Sequence, residues 1–170
     1  LMVALEKHGI MYEKVFSFEP NPWLYDEMCE NVKKNHLENR FIPFRKGVWE
    51  SDGNAYLNFS EEDIAGGKLD LSKSGTCVEI ISIDNFFKQQ RIDFIKMDME
   101  GSEIRALRGA ERCIRSGMPA LAICAYHLID DLRTIPRVLS DTSGDNYEFT
   151  LRNYKAGGSA EIVLYGNPIK

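Results

Sequence analysis

The stretch DFIKMDMEGSE, residues 93–103, decides the fold class, because an apolar strand-like run ends there in two carboxylates and then opens a helix. In open α/β sheets, ligands bind in the crevice outside the carboxyl ends of the strands. Asp98 and Glu100 therefore stand where chemistry is expected. The segment VFSFEPNP, residues 15–22, has the same order of strand, acid and helix start. Two such segments in one chain predict an α/β protein that binds a nucleotide-type cofactor.

Apolar periodicity extends this alternation along the chain. It predicts strands near residues 14–18, 41–49, 55–59, 77–83, 94–99, 120–126, 147–154 and 161–165, and helices near 22–35, 82–87, 102–116 and 129–139. The strand at 55–59 should return antiparallel to that at 41–49 across a turn. Polar residues 60–76 are expected to form a surface loop or insertion, and Pro136 should kink or split the last helix.

The short connection between the final two strands permits only an antiparallel pair. We therefore predict a mostly parallel, doubly wound α/β sheet that closes in an antiparallel hairpin. The chain has 170 residues, of which 44% are hydrophobic, which suits one domain with a real core. A single domain over residues 1–170 is expected.

The composition also limits the classes of binding partner and the cellular location that we expect. The formal net charge of −5 argues against nucleic acid or an anionic membrane as the main partner, since both favour a basic surface. No apolar stretch approaches the roughly 20 residues that span a membrane, and no secretory signal is recognisable. A cytoplasmic protein that acts on a small molecule is expected, while the oligomeric state stays unknown.

Nothing in the sequence requires a metal ion. The cysteines at positions 29, 77, 113 and 124 show neither C-x-x-C nor paired histidine spacing, so neither a zinc site nor a disulfide framework is indicated. Reduced, mostly buried thiols are expected instead. The paired carboxylates of Asp98 and Glu100 are nevertheless of the type that holds a divalent ion.

Asp98, Glu100 and His127 are the candidate catalytic residues. The two acids are one residue apart, which in a strand places both on one face, and like charges so close raise at least one pKa toward the range of a general base. His127 ends a strand expected to neighbour that of Asp98. A structural alternative stays open, in which Glu100 and Glu103 decorate a helix amino end and His127 is hydrogen-bonded within the fold.

Short motifs along most of the chain carry a family resemblance. They are FEPNP at 18–22, KGVW at 46–49, DG at 52–53, KMDMEGSE at 96–103, LRGA at 107–110, YH at 126–127, LR at 151–152 and LYG at 164–166. Together they resemble the FkbM family of S-adenosylmethionine-dependent methyltransferases, and the K-x-D-x-E-G-x-E string is the most specific of them. The resemblance implies a Rossmann-like methyltransferase fold and transfer of a methyl group from S-adenosylmethionine to a hydroxyl of a sugar or secondary metabolite.

The resemblance also implies which residues hold the cofactor. Glu19, with Asn21 beside it, would bind the ribose, since one carboxylate can accept hydrogen bonds from both ribose hydroxyls. Gly47 and Val48 would contact adenine, and Asp98 would lie near the sulfonium. Each has a plainer explanation, because an acid near a helix start is favoured by the helix dipole and a glycine in a strand marks a bulge.

One departure from the family concerns the start of the chain. The family begins with a strand and a Gly-rich turn that cradles the methionyl part of the cofactor. An acid that binds ribose lies about 20 residues after such a turn, and only 18 residues precede Glu19. We therefore expect an amino-terminally incomplete domain, without its first strand and Gly-rich loop, that binds the cofactor weakly or not at all. The alternatives are a nicotinamide-dependent oxidoreductase and a non-catalytic Rossmann-like fragment.

Overall fold

The computed structural model describes residues 7–60, 63–72, 74–154 and 161–169. The chain divides into two units, residues 1–46 and 47–170. That they act as one domain stays a prediction. Within the described ranges, no helix is long and apolar enough to cross a membrane.

The first unit is a βαβ arrangement. Strand β1 (Val15–Phe18), helix α1 (Pro22–Lys34) and strand β2 (Phe41–Phe44) follow one another, and the two strands pair in parallel. The predicted first strand and helix are confirmed to within one residue at each end. Phe18 opposes Phe44 in the register, and their rings stack with centroids 5.3 Å apart. The pairing brings the carboxyl end of β1 to the start of α1.

The second unit carries the remaining elements. They are strands β3 (Gly47–Val48), β4 (Gly53–Ser60), β5 (Asp63–Asp70), β6 (Thr76–Ile81), β7 (Phe94–Met97), β8 (Ala120–Cys124), β9 (Tyr147–Asn153) and β10 (Ile162–Pro168), and helices α2 (Ile83–Phe87), α3 (Glu103–Arg108), α4 (Glu111–Gly117) and α5 (Asp131–Ser143). The strands form two four-stranded sheets, in the orders β7-β8-β10-β9 and β3-β6-β4-β5.

The first of these sheets contains the predicted closing hairpin. Strands β7 and β8 pair in parallel, so their carboxyl ends meet at one edge. Strand β10 runs antiparallel to both β8 and β9, which confirms the hairpin. Its connection, residues 155–160, lies outside the described residues.

The second sheet departs from the predicted pattern in three respects. The strand predicted at 41–49 is two strands, β2 and β3, because the polar pair Arg45-Lys46 interrupts an otherwise apolar run. Strand β4 pairs with β5 and β6 rather than returning against β3. The expected loop at 60–76 contains β5, which the sequence conceals because few of its side chains are apolar.

These changes make the sheets more mixed than predicted. Among the described pairings, β1–β2, β3–β6 and β7–β8 are parallel and the others are antiparallel. The antiparallel share is larger than in the predicted, mostly parallel sheet, because strand β4 pairs antiparallel with both β5 and β6.

Two helices also differ from expectation. The helix predicted at 102–116 is broken into α3 and α4 at Gly109, where a Cβ atom would lie 2.0 Å from the carbonyl oxygen of Trp49. Helix α5 runs unbroken through Pro136, so the predicted split was wrong.

The core of this unit is apolar and closed to solvent, with Leu107, Ile114, Leu121, Ile123, Ile135 and Leu139 each 0–1% exposed.

Candidate functional site

A tight turn follows β7 and presents the two predicted acids. Glu100 and Gly101 both have positive φ, 53° and 93°, a conformation that is uncommon for a residue with a side chain. The backbone amide of Ser102 closes the turn by donating to the Met99 carbonyl at 3.1 Å. This turn places Asp98 and Glu100 at the edge of the sheet and starts α3 directly after them.

A buried carboxylate supports the turn from inside the fold. Glu103, in the first turn of α3, is 1% exposed. Its Oε1 accepts a hydrogen bond from the Met99 amide at 2.7 Å and lies 2.8 Å from His127 Nδ1. One carboxylate oxygen thereby joins the turn after β7 to the residue that follows β8.

The three predicted catalytic side chains meet at this edge. His127 Nε2 lies 3.5 Å from Asp98 Oδ1 and 3.7 Å from Glu100 Oε1. Burial lowers the pKa of His127, but the hydrogen bond to Glu103 and the charges of the three acids outweigh it and raise the pKa above its ordinary value. The geometry thus favours a protonated imidazole between carboxylates.

Asp98 is held as a carboxylate by its neighbours. Tyr126 Oη donates to Oδ1 at 3.2 Å and Lys96 Nζ to Oδ2 at 3.3 Å. Burial would raise the pKa of Asp98, but the hydrogen bond from Cys124 and the contacts with Lys96 and Tyr126 hold it below its ordinary value. The prediction that the close pair of acids raises a pKa is therefore wrong for Asp98.

Asp131 is a second buried acid near His127, after Glu103. It opens α5, is 1% exposed, and accepts a hydrogen bond from the Leu128 amide on Oδ2 at 2.7 Å. Burial is the main cause that raises the pKa of Asp131. Donor atoms of Glu103, His127 and Asp131 all lie within 4.8 Å of one another, a spacing that would allow them to hold a metal ion.

The first unit contains the predicted ribose-binding acid. Glu19 follows β1 and is half-buried, and its Oε1 accepts a hydrogen bond from the Asn21 amide at 2.8 Å. Burial raises the pKa of Glu19, against the opposing effect of that hydrogen bond. The fixed carboxylate fits an acceptor for ribose hydroxyls. Asn21 caps α1, since its Oδ1 accepts from the Trp23 amide at 3.0 Å, so its side chain already has a structural task.

Gly47 and Val48, the predicted adenine contacts, are buried in β3 of the second unit. A Cβ atom at position 47 would lie 2.7 Å from Leu69 Cδ1 and 3.0 Å from Ile80 Cγ2. Close packing by itself thus explains the glycine. Their role toward a cofactor stays a prediction.

Sequence reasoning underrated three residues of the site. Glu103 was weighed only as a helix-end acid, although its spacing to the buried Leu107 places both on one helix face. That spacing was the available signal. Tyr126 belongs to the YH motif, but its contact with Asp98 on another strand has no local signal. Asp131 likewise meets Glu103, which is distant in sequence.

Comparisons with known proteins agree with the motif resemblance. Residues 5–149 match the methyltransferase FkbM domain. The hexuronic acid methyltransferase AglP of Haloferax volcanii is 29% identical over 132 residues, which cover 75% of this chain and 53% of that protein. The chain thus spans about half the length of this curated relative.

Two solved structures share the fold. The methyltransferase FkbM of Methylobacillus flagellatus KT superposes with a TM-score of 0.72 at 23% identity, over 96% of this chain and 39% of that one. A putative rRNA-methylase of Clostridium thermocellum gives a TM-score of 0.54 at 10% identity, over 95% and 77% of the two chains. The predicted Rossmann-like methyltransferase fold class is confirmed.

Proposed function

The chain belongs to the FkbM methyltransferase family, and on that premise we propose that it serves methyl transfer from S-adenosylmethionine to a hydroxyl group of a sugar. The family match and the sugar-acid substrate in the name of the Haloferax relative support this assignment. The single observation that carries it is the convergence of Asp98, Glu100 and His127 at the edge where β7 and β8 end.

Asp98 is the proposed general base. An alcohol is a weak nucleophile, so a base must take its proton as the new bond to carbon forms. The carboxylate of Asp98 is 43% exposed and ionised, and so is available to an acceptor hydroxyl. His127 is a poorer candidate, because both ring nitrogens face carboxylates and a protonated ring has no free lone pair.

When bound, S-adenosylmethionine would supply a methyl group on a positively charged sulfur; the sulfur–methyl bond would break as the oxygen–methyl bond forms, and S-adenosylhomocysteine would leave. Glu19 is the residue proposed to bind its ribose, with one carboxylate oxygen positioned by the Asn21 amide.

Lys96 and Tyr126 keep the Asp98 carboxylate in one orientation through contacts to both of its oxygens. A base held in one orientation can align the acceptor oxygen with the methyl group, and such alignment accounts for much of the acceleration in displacements of this kind.

Calorimetric titration with S-adenosylmethionine, S-adenosylhomocysteine and NAD⁺ tests the cofactor class. We expect weak binding of the first two and none of the third. Transfer of labelled methyl from S-adenosylmethionine to a panel of neutral sugars and hexuronic acids then tests the acceptor class. Preferential binding of NAD⁺ would contradict the proposal and favour an oxidoreductase, and labelling of no sugar would exclude this acceptor class.

A further inference from the structure

Three buried side chains from separate parts of the second unit converge on one point. Glu103 begins α3, His127 follows β8 and Asp131 begins α5. Their donor atoms lie within 4.8 Å of one another, and the side chains are 1%, 6% and 1% exposed, respectively. We propose that this group, the Glu103–His127–Asp131 cluster, binds one divalent transition-metal cation such as Mn²⁺ or Zn²⁺.

The first argument is an imbalance of buried charge. Within the described ranges, no ion pair joins Glu103 or Asp131 to a lysine or arginine, and His127 is the charged partner of Glu103. A protonated imidazole would therefore still leave one excess negative charge when both acids are ionised. Buried charges in proteins are as a rule paired or bound to metal ions, because their removal from water is costly.

The second argument comes from two unsatisfied atoms. Glu103 Oε2 and His127 Nε2 are buried and have no hydrogen-bond partner among the described residues. Most buried polar side-chain atoms have a partner. His127 Nε2 has carboxylates at 3.5 and 3.7 Å, so Glu103 Oε2 is the exception that calls for an explanation. Glu103 Oε2 in particular is a carboxylate oxygen with free lone pairs inside the fold.

The chemistry of the donors points to the class of ion. One imidazole nitrogen with two carboxylates suits Zn²⁺ and Mn²⁺ better than soft metals, which prefer sulfur. Ligands of this kind are usually held by further hydrogen bonds. The Met99 amide holds Glu103 and the Leu128 amide holds Asp131, at 2.7 Å in both cases.

The imidazole of His127 presents one nitrogen to the cluster and the other to the sheet edge. Its Nδ1 faces Glu103 and would bind the ion, while its Nε2 faces Asp98 and Glu100. When Nδ1 binds the ion, Nε2 can donate its proton to a carboxylate, which is the usual arrangement for a metal-bound histidine. The site therefore contains both its ligands and the acceptor that fixes the ring.

Titration of the chelator-treated chain with Mn²⁺, followed by the electron paramagnetic resonance of free Mn²⁺, tests this proposal. Mn²⁺ binds thiolates poorly, so the exposed Cys77 does not compete. We expect one equivalent bound and a higher thermal midpoint with the ion. Glu103→Gln and Asp131→Asn keep the hydrogen-bond acceptors and should lower the Mn²⁺ affinity by more than about 10-fold.

Asp130→Asn is the matched control. Asp130 adjoins Asp131 but is 63% exposed and pairs with Arg133, so its loss should leave the Mn²⁺ affinity unchanged. Pulsed electron paramagnetic resonance of the wild-type Mn²⁺ complex should also show coupling between the ion and a histidine nitrogen. This measurement does not depend on the folding of any variant. A folded chain that binds neither Mn²⁺ nor Zn²⁺, a bound ion without nitrogen coupling, or full affinity in Asp131→Asn would overturn the proposal. These readouts use neither methyl donor nor acceptor, so they are independent of the proposed methyl transfer.

Discussion

Asp98 is the residue whose charge should matter most to turnover. Asp98→Asn keeps the size of the side chain and one acceptor oxygen but removes the base, so kcat should fall by about 10² or more. Asp93→Asn is the matched control, since Asp93 lies near the same strand with its side chain 81% exposed. Steady-state kinetics with equal kcat in the two folded variants would assign Asp98 a structural role.

Glu19 should make cofactor affinity depend on pH. Because burial raises its pKa, protonation begins closer to neutral pH than for an ordinary glutamate, and affinity for S-adenosylmethionine should fall as pH decreases through that raised pKa. Glu19→Gln should weaken binding by about 1.5 to 3 kcal/mol at neutral pH and remove this dependence. Calorimetry at several pH values is the measurement.

The stability of the Glu19 variant to denaturant distinguishes a role in cofactor binding from a structural role. A carboxyl with a raised folded pKa favours folding below its ordinary pKa, and that contribution is lost as pH rises through the raised value. Ionised Glu19 therefore does not stabilise the fold at neutral pH, and Glu19→Gln should unfold at the same denaturant concentration or a higher one. A marked loss of stability together with unchanged affinity would remove Glu19 from the cofactor site.

At the scale of elements, Gly109 allows the segment between α3 and α4 to approach Trp49 closely. A Cβ atom there would overlap the Trp49 carbonyl oxygen, so Gly109→Ala should destabilise the chain by about 1 to 3 kcal/mol or more. Gly117→Ala is the control, because the nearest atom to a Cβ there is 3.9 Å away and alanine favours a helix. Urea unfolding of both variants measures the difference, and equal midpoints would show that the backbone adjusts without cost.

Some elements could be predicted from sequence because their pattern is local. The strand, acid and helix-start order placed Asp98, Glu100 and His127 at one edge, since parallel strands end together. Strand β5 could not be predicted, because a strand at the edge of a sheet needs few apolar residues. The convergence of Glu103 with His127 and Asp131 joins residues that are distant in sequence, which periodicity does not reveal.

At the scale of the whole molecule, thiol reactivity should report folding. Cys77 is exposed, whereas burial is the main cause that raises the pKa of Cys113 to about 11 and the pKa of Cys124 to about 12. Ellman's reagent at pH 8 should therefore modify Cys77 rapidly and these two only as the chain opens. Cys77→Ser should reduce the fast phase to what half-buried Cys29 contributes, and rapid modification of Cys124 would contradict the packing around Asp98.

The polar composition of β5 affects the tendency of the protein to associate with further copies of itself. This strand ends the order β3-β6-β4-β5 and has β4 as its described partner, so one row of its backbone groups is available for pairing with another chain. Flat apolar strands in that position recruit further copies into fibres, whereas charged residues discourage such recruitment. Lys68 and Asp70 supply such charges. The feature that hid this strand from sequence analysis thus also protects the protein from self-association.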